Sequence, residues 1–242
     1  MKMKVIANWK MNLPTPDIRS WTENFYSNVN LDDSKNIGVA PPFTHISNCV
    51  TYLQNLRVGA QNISSRDLGN NTGEISASIA KDSGASFVIL GHSEVRENLD
   101  EQSSLINKKI AIAIEKNLSP VVCFGESRES YENGITKDFV CSQLKECFEG
   151  IKAETIIIAY EPIWSIGTGI TPETNEINEI HNTIKDYCKN HLKFVPESVL
   201  YGGSVTDKNC KNLITGENID GFLVGGASLD GNSFARIVNN CF

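Results

Sequence analysis

Eight short apolar runs recur along the chain, and they constrain the fold more than any other feature. Each run is nearly continuous in its hydrophobic character rather than alternating, which is typical of parallel strands buried on both faces beneath a layer of helices. The runs lie at residues 5–7, 37–40, 58–60, 87–90, 120–124, 155–159, 198–201 and 221–224. The sequence therefore predicts eight parallel strands.

The segments between the runs have the periodicity of amphipathic helices. Apolar side chains fall three or four residues apart in two clear cases, namely Ile46, Cys49, Val50 and Leu53, and then Ile177, Ile180, Ile184 and Tyr187. Two helix starts are predicted where a threonine hydroxyl can cap a helix whose first residue is proline, at Thr15-Pro16 and at Thr171-Pro172.

Eight strand–helix units are compatible with a closed barrel or with a doubly wound open sheet. A dinucleotide-binding open sheet carries a G-x-G-x-x-G turn after its first strand, whereas residues 8–12 read NWKMN and contain no glycine. Barrels of this type use about 250 residues for one core, and this chain has 242 with no linker to divide it. We therefore expect a single α/β domain over residues 1–242, a (β/α)8 barrel with an outer ring of helices.

Composition excludes several classes of function. The net charge of −7 argues against a surface for nucleic acid or anionic membrane, and an anionic substrate would need a local positive charge. No apolar run reaches the ~18 residues of a membrane helix, and the first residues turn polar too early for a signal peptide. The seven cysteines are scattered without a C-x-x-C pair. Reduced thiols and a cytoplasmic location are expected.

In a parallel barrel the carboxyl ends of all strands meet at one face, where such folds build their sites. The candidates that follow the predicted strands are Asn8, Lys10, His92, Cys123, Glu126, Glu161, Gly167, the turn at 202–204 that includes Ser204, and the pair Gly225 and Gly226. A lysine, a histidine and a carboxylate would thus face glycine turns whose N–H groups can hold a phosphate. Each residue also has an ordinary structural interpretation, so the combination carries the prediction.

The segment after the sixth run is the most informative candidate. Residues 159–169 read AYEPIWSIGTG, in which a carboxylate at the strand end is followed by a proline, a large apolar tip and two glycines. A base needs a fixed position, and a movable apolar cover can exclude water from it. Taken alone, the same residues are equally compatible with an ordinary loop, a solvated glutamate and a tight glycine turn.

Five motifs together resemble the triosephosphate isomerase family, from the first strand to the last helix. They are NWKMN at 8–12, GHSE at 91–94, AYEPIWSIGTG at 159–169, YGGSV at 201–205 and GFLVGGASL at 221–229. The resemblance implies a TIM barrel that interconverts dihydroxyacetone phosphate and glyceraldehyde 3-phosphate through an enediol or enediolate. It also implies that neither a metal nor an organic cofactor is needed.

The resemblance assigns roles to individual residues of this sequence. Glu161 matches the base, beside Ile163, Trp164 and Ile166, which can exclude water from it and make it more basic. His92 matches the electrophile and precedes a predicted helix start at Ser93, and Lys10 matches the cation. Further matches are Asn8 as a neutral donor, Glu94 as the acidic partner of the lysine, and the amides of Gly167, Ser204, Gly225 and Gly226 as the phosphate grip. The segment that follows Glu161, through Gly169, matches the lid of the family, and closure of this lid would protect the intermediate from losing its phosphate.

A long segment follows the third predicted strand, from residue 61 to residue 74. Loops of this length without regular structure are generally functional or disordered. In the family that this chain resembles, the loop inserts into a partner subunit beside the active-site lysine, and Thr72 matches its tip. The resemblance thus implies a symmetric homodimer, and a mobile surface loop is the alternative.

The chain departs from the family pattern at three places. Val95 stands where the family has an arginine, which removes a charged donor near the dimer contact, and Ser165 stands where alanine is common in the lid. The chain is two residues shorter after Gly169 and lacks a lysine there, so we expect the exit of the lid to be less anchored.

Two other classes of function remain open at the level of sequence. One is a different phosphate-binding barrel enzyme, either an epimerase or an aldolase that forms a Schiff base on a desolvated lysine. The other is a barrel that binds a partner without catalysis. The retention of base, electrophile, cation and phosphate grip together favours the isomerase.

Overall fold

A computed structural model describes residues 3–30, 34–152 and 155–242, and its strands close into a parallel barrel. The strands are β1 (Lys4–Asn8), β2 (Ile37–Ala40), β3 (Arg57–Ala60), β4 (Phe87–Leu90), β5 (Ser119–Phe124), β6 (Ile157–Tyr160), β7 (Ser198–Tyr201) and β8 (Gly221–Val224). Each strand pairs with the next in sequence, and β1 pairs with both β2 and β8, so that Val5 lies between Ile37 and Phe222. The predicted (β/α)8 barrel is confirmed.

The apolar runs predicted the strands to within one or two residues. The largest difference is at β6, which begins at Ile157 rather than at residue 155, although Ile156 is also fully buried. On β4, Phe87 and Ile89 point into the barrel, whereas Val88 and Leu90 belong to the layer between sheet and helices. Burial on both sides of every strand explains why the runs are continuous rather than alternating.

Helices surround the barrel in the order that the sequence predicts. They are α1 (Thr15–Asn28), α2 (Ile46–Tyr52), α3 (Ala77–Asp82), α4 (Ser93–Asn98), α5 (Ser103–Glu115), α6 (Arg128–Glu132), α7 (Thr136–Phe148), α8 (Thr174–Tyr187), α9 (Cys210–Leu213) and α10 (Gly231–Cys241). Among the helices of the described residues, none is both long enough and apolar enough to span a bilayer.

The predicted apolar faces are largely confirmed. Ile177, Ile180 and Ile184 of α8 are buried against the barrel. In α2, Ile46 and Cys49 are buried, but Val50 is 38% exposed, so the predicted apolar face is only partly covered.

Both predicted threonine caps are wrong. Helix α1 begins at Thr15 itself, with Pro14 at the cap position and no side-chain bond to the first turn. Helix α8 begins at Thr174, where the Glu176 carboxylate accepts from the Glu173 N–H at 3.1 Å. Thr171 does not cap α8, because it lies three residues before the helix begins and its hydroxyl instead approaches the Ser204 carbonyl at 3.4 Å.

Candidate active site

One cavity at the carboxyl ends of the strands brings the predicted site residues together. Its volume is about 470 Å³. Its lining includes Asn8, Lys10, His92, Glu161, Gly167, Ser204, Gly225 and Gly226, which are all the residues predicted to contact substrate. A larger cavity of about 1110 Å³ lies at the opposite end of the barrel, between the segments that precede β5 and β6, and it contains none of them.

Glu161 follows β6 directly, and the residue is only 2% exposed. Its N–H donates to the Phe124 carbonyl at 2.7 Å, which continues the strand pairing by one residue. Its Oε2 accepts from the Ser93 N–H at 3.2 Å, and its Oε1 lies 3.4 Å from His92 Nε2. Gly125 permits this path, because a Cβ there would lie 1.6 Å from the Glu161 carbonyl oxygen. One buried carboxylate is thus fixed at the cavity wall.

His92 is the cap residue of α4, which begins at Ser93 as predicted. Its Nδ1 accepts a hydrogen bond from the Glu94 N–H at 3.2 Å. A ring nitrogen that accepts carries no proton, so the neutral imidazole carries its proton on Nε2. Nε2 is the nitrogen nearest Glu161, and the residue is 6% exposed. The helix start therefore orients an N–H donor beside the carboxylate.

Lys10 is held from three directions. Its backbone has a φ of 51°, and its N–H donates to Asn8 Oδ1 at 3.0 Å. Its carbonyl accepts from Gln61 Nε2 at 2.8 Å, and its Nζ pairs with Glu94 Oε1 at 2.6 Å. These bonds support a backbone conformation that non-glycine residues seldom adopt. They also use the side-chain oxygen of Asn8, which leaves its amide NH₂ as the donor group.

The turn after β8 lines one side of the cavity. Gly226 begins a short 3₁₀ helix, Gly226–Leu229, whose first N–H groups have no acceptor within the helix. Trp21 Nε1 donates to the Ser228 carbonyl at 2.8 Å and thereby ties this turn to α1. A Cβ on Gly225 would lie 3.9 Å from Lys10 Nζ. An anion at these amides would therefore lie close to the lysine charge.

The segment that carries Glu161 continues as an exposed tip. Gly167 and Gly169 have φ values of 70° and 75°, a region that favours glycine, so the two glycines are required by the turn. Ile166 lines the cavity. Ile163 is 36% exposed and lies outside the cavity lining, so it does not cover Glu161 in this structure.

Trp164 packs against the segment between β5 and α6 and against α6 itself. Its ring lies 4.3 Å from that of Tyr131, and its Nε1 donates to Glu126 Oε1 at 2.9 Å. Glu126 is fully buried and also accepts from the Tyr160 hydroxyl at 3.2 Å. Burial raises the pKa of the Glu126 carboxyl above its ordinary value. Glu126, a strand-end candidate, therefore lies beneath the lid rather than in the cavity.

Hydrogen bonds hold the exit of the lid, and whether they hold it less firmly than in the family stays a prediction. Ser165 Oγ donates to the Ile170 carbonyl at 2.6 Å, which joins the two ends of the tip. Asn209 Nδ2 donates to the Ser204 carbonyl at 2.9 Å, and the Thr171 hydroxyl approaches the same oxygen at 3.4 Å. Side chains of the lid and of the loop after β7 therefore supply the contacts at this exit.

The candidate Cys123 lies inside the barrel rather than in the cavity, and two residues that support the site were not predicted. Cys123 is fully buried among the apolar residues inside the barrel, and burial raises the pKa of its thiol well above the ordinary value. Gln61 and Ser93 hold Lys10 and Glu161 but were not predicted as site residues. Gln61 directly follows β3, so its position at a strand end was the available signal.

The long segment after β3 projects from the barrel. Residues 66 and 68–74 are exposed, including Thr72, and Leu68 in the same stretch is 70% exposed. Its base is closed where the Ser64 N–H donates to the Ile75 carbonyl at 2.8 Å. The tip is therefore an exposed loop held at its base.

Within the described parts of the chain, no group of three or more histidine, cysteine, aspartate or glutamate side chains has a metal-binding arrangement.

Comparison with known proteins gives a consistent result over nearly the whole chain. A family model described as triosephosphate isomerase matches residues 3–241. The triosephosphate isomerase of Mycoplasmopsis pulmonis is 40% identical over 98% of this chain and 97% of its own length. That of Prochlorococcus marinus strain MIT 9301 is 39% identical over 99% of both chains, and that of Neurospora crassa is 40% identical over 98% of both.

Proposed function

Because the chain belongs to the triosephosphate isomerase family, we propose that it interconverts dihydroxyacetone phosphate and D-glyceraldehyde 3-phosphate. The observation that carries the proposal is the pair Glu161 and His92, with Oε1 and Nε2 3.4 Å apart at the wall of the cavity that also contains Lys10. A carboxylate base beside an N–H donor is the arrangement that proton transfer next to a carbonyl requires.

Glu161 removes the proton from the carbon next to the substrate carbonyl. Its burial supports this role, since a carboxylate shielded from water loses less solvation when it meets an apolar C–H group. The same carboxyl group then returns the proton to the adjacent carbon. The hydroxyl proton passes from one oxygen to the other through His92 Nε2, so the substrate is isomerised without net gain or loss of atoms.

His92 donates through Nε2–H to the carbonyl oxygen while that proton is removed. The bond from the Glu94 N–H to Nδ1 supports this role by fixing the tautomer. Lys10 stabilises the negative charge that develops on the enediolate, and Asn8 supplies a neutral donor beside it. Glu94 orients the ammonium group through its ion pair with Nζ.

The phosphate binds at the opposite side of the cavity, to the N–H groups of Gly167, Ser204, Gly225 and Gly226. Three separate turns supply these amides, and all four residues line the cavity. Lys10 and Glu161 are the only formally charged residues among the described cavity residues, apart from the titratable His92. The lysine therefore provides the positive charge that a chain of net charge −7 otherwise lacks.

We further propose that the protein is a symmetric homodimer in the cytoplasm. Exposed apolar groups support a partner on this side of the barrel, since Met11 beside Lys10 is 95% exposed and Leu68 is 70% exposed. The loop that carries Thr72 would insert into the partner near Lys10. The seven cysteines are all unpaired thiols, which agrees with a reducing compartment.

A coupled assay on the purified protein tests the proposed reaction. Dihydroxyacetone phosphate should be converted to glyceraldehyde 3-phosphate, with no turnover of a pentose phosphate offered as an epimerase substrate. Borohydride added with substrate should trap no adduct on Lys10, whose ammonium group is already paired with Glu94. Absence of isomerisation, or a covalent adduct at Lys10, would contradict the proposal.

A further inference from the structure

Ser165 is a buried polar residue in the lid whose hydroxyl the proposed reaction does not use. The residue is 0% exposed, although residues 167–170 beside it are exposed. A buried hydroxyl is unfavourable unless it is hydrogen-bonded. Its burial therefore directs attention to the partners of this hydroxyl.

The hydroxyl has a complete set of partners. Ser165 Oγ donates to the Ile170 carbonyl at 2.6 Å, lies 3.2 Å from the Tyr201 hydroxyl and lies 3.5 Å from the Ser204 nitrogen. A serine hydroxyl offers one donor and two acceptor positions. With its proton directed at Ile170, it accepts from both Tyr201 and Ser204. Burial raises the pKa of Tyr201 to about 12, so its phenol keeps the proton that it donates.

These bonds connect the lid to the proposed phosphate grip. The Ser204 hydroxyl donates to the Ser165 carbonyl at 2.8 Å, so two bonds join Ser165 and Ser204. The Ser204 N–H is one of the proposed phosphate donors. In this structure the N–H is directed at Ser165 Oγ over a long distance, and a phosphate oxygen is the stronger acceptor because it is charged.

We propose that Ser165 is a positioning residue that holds the lid on Tyr201 and Ser204 until substrate binds. Substrate phosphate releases this hold when it takes over the Ser204 N–H. The proposal rests on the proposed function, because it requires a phosphate at Ser204. It assigns to Ser165 an energetic competition with phosphate that an alanine at this position lacks.

The test compares Ser165→Ala with Ser198→Ala, using inorganic phosphate as the probe at constant ionic strength. Ser198 is a matched control because it is 1% exposed and its hydroxyl donates to the Glu197 carbonyl at the other end of the barrel. Calorimetry should show the dissociation constant of phosphate falling about 2- to 10-fold in Ser165→Ala, the effect of losing one competing hydrogen bond. The KM should fall by a similar factor without an increase in kcat, and Ser198→Ala should change neither constant.

The outcomes separate a failure of the role of Ser165 from a failure of the proposed function. If the unmodified protein turns over triose phosphate, but Ser165→Ala binds phosphate equally well or more weakly, the role of Ser165 is overturned and the function stands. The role of Ser165 is also overturned if Ser198→Ala shifts the affinity as much as Ser165→Ala. If the unmodified protein neither binds phosphate nor isomerises triose phosphate, the proposed function and this inference both fail.

Discussion

Lys10 shows how individual residues of the site depend on their neighbours. Its strained backbone is supported by Asn8 and Gln61, and its ammonium group is paired with Glu94. No other lysine is among the described residues that line the cavity. The positive charge at this point is therefore not duplicated by another side chain.

Lys10→Met should lower both substrate affinity and turnover, because the anionic substrate and the developing enediolate each lose their cation. We expect KM to rise and kcat to fall, each by at least about tenfold, the effect of roughly one charge-assisted hydrogen bond. Steady-state kinetics at fixed ionic strength measures both. Lys137→Met is the control, since Lys137 pairs with Glu179 on the surface, and it should leave both constants unchanged. An unaltered KM in Lys10→Met would count against the cationic role.

His181 makes a separate residue-scale prediction, for stability rather than catalysis. It is fully buried, its Nδ1 is 3.2 Å from the Asn218 carbonyl, and burial lowers its pKa to about 3. The unfolded chain binds a proton near pH 6.5 that the folded chain does not. The contribution of neutral His181 is therefore complete above about pH 6.5 and decreases as the pH falls toward 3.

Denaturant unfolding between pH 5.5 and 7 checks this prediction. His181 should contribute a slope of up to about 1.4 kcal/mol per pH unit to the free energy of unfolding. His181→Gln should have a flatter dependence in this window, whatever its absolute stability. Equal slopes for the two proteins would show that His181 does not lose its proton on folding.

At the scale of residues, the sequence predicted which side chains meet but not how each is oriented. Strand-end position places Lys10, His92 and Glu161 on one face regardless of side-chain detail. The orientation of Trp164 toward Tyr131 and Glu126 depends on contacts from another loop, which no local pattern contains.

Hydrogen bonds join the lid to the loop after β7. Asn209 Nδ2 donates to the Ser204 carbonyl at 2.9 Å, and its Oδ1 accepts from the Thr206 N–H at 2.8 Å. The hydroxyl of Thr171, at the exit of the lid, approaches the same Ser204 carbonyl. Asn209 therefore orders the turn that carries one of the proposed phosphate donors.

Asn209→Ala should weaken phosphate binding, because the turn loses the bond from Asn209 to the Ser204 carbonyl and the bond from the Thr206 N–H to Asn209. We expect KM to rise about 2- to 10-fold with a smaller change in kcat. Asn212→Ala is a matched control, since Asn212 lies three residues further along and bonds the Thr174 hydroxyl at 3.1 Å, away from Ser204. If both variants raise KM equally, the effect belongs to α9 as a whole rather than to Asn209.

Elements were predicted well where burial alone determines them and poorly where hydrogen bonds compete. The eight runs predicted the strands because every strand is covered on both faces. Helix α1 begins at Thr15 and helix α8 at Thr174, so neither Thr15 nor Thr171 caps a helix. The Thr171 hydroxyl contacts the Ser204 carbonyl instead. A threonine before a proline does not show whether its hydroxyl will cap the next helix or bond a carbonyl that is distant in sequence.

At the scale of the whole molecule, the account predicts a homodimer whose contact includes the loop that carries Thr72. Leu68 is 70% exposed in the loop that carries Thr72, which the proposed dimer would bury. The sequence also predicts that Val95, which stands where the family pattern has an arginine, leaves the proposed contact without a charged donor. That residues 1–242 fold as one domain also stays a prediction, and a single cooperative unfolding transition would support it.

Leu68→Lys should shift a dimer toward monomers, because a charge would be buried in the contact without a partner. Sedimentation analysis over a range of protein concentrations should show a dissociation constant at least about tenfold higher than for the unmodified protein. Val195→Lys is the control, because Val195 is 66% exposed and precedes β7 at the opposite end of the barrel. A monomeric unmodified protein, or an equal effect of both variants, would contradict the proposed interface.

The measurement that tests the central claim most directly is hydrogen exchange at the substrate carbon during turnover in deuterated water. The account predicts deuterium incorporation by the unmodified protein and a kcat about 10² to 10⁴ lower in Glu161→Gln, the usual range for a positioned base. Glu126→Gln, which keeps an acceptor for Trp164, should retain kcat within about tenfold and should also exchange. Near-normal turnover by a correctly folded Glu161→Gln protein would contradict the assignment of Glu161 as the base.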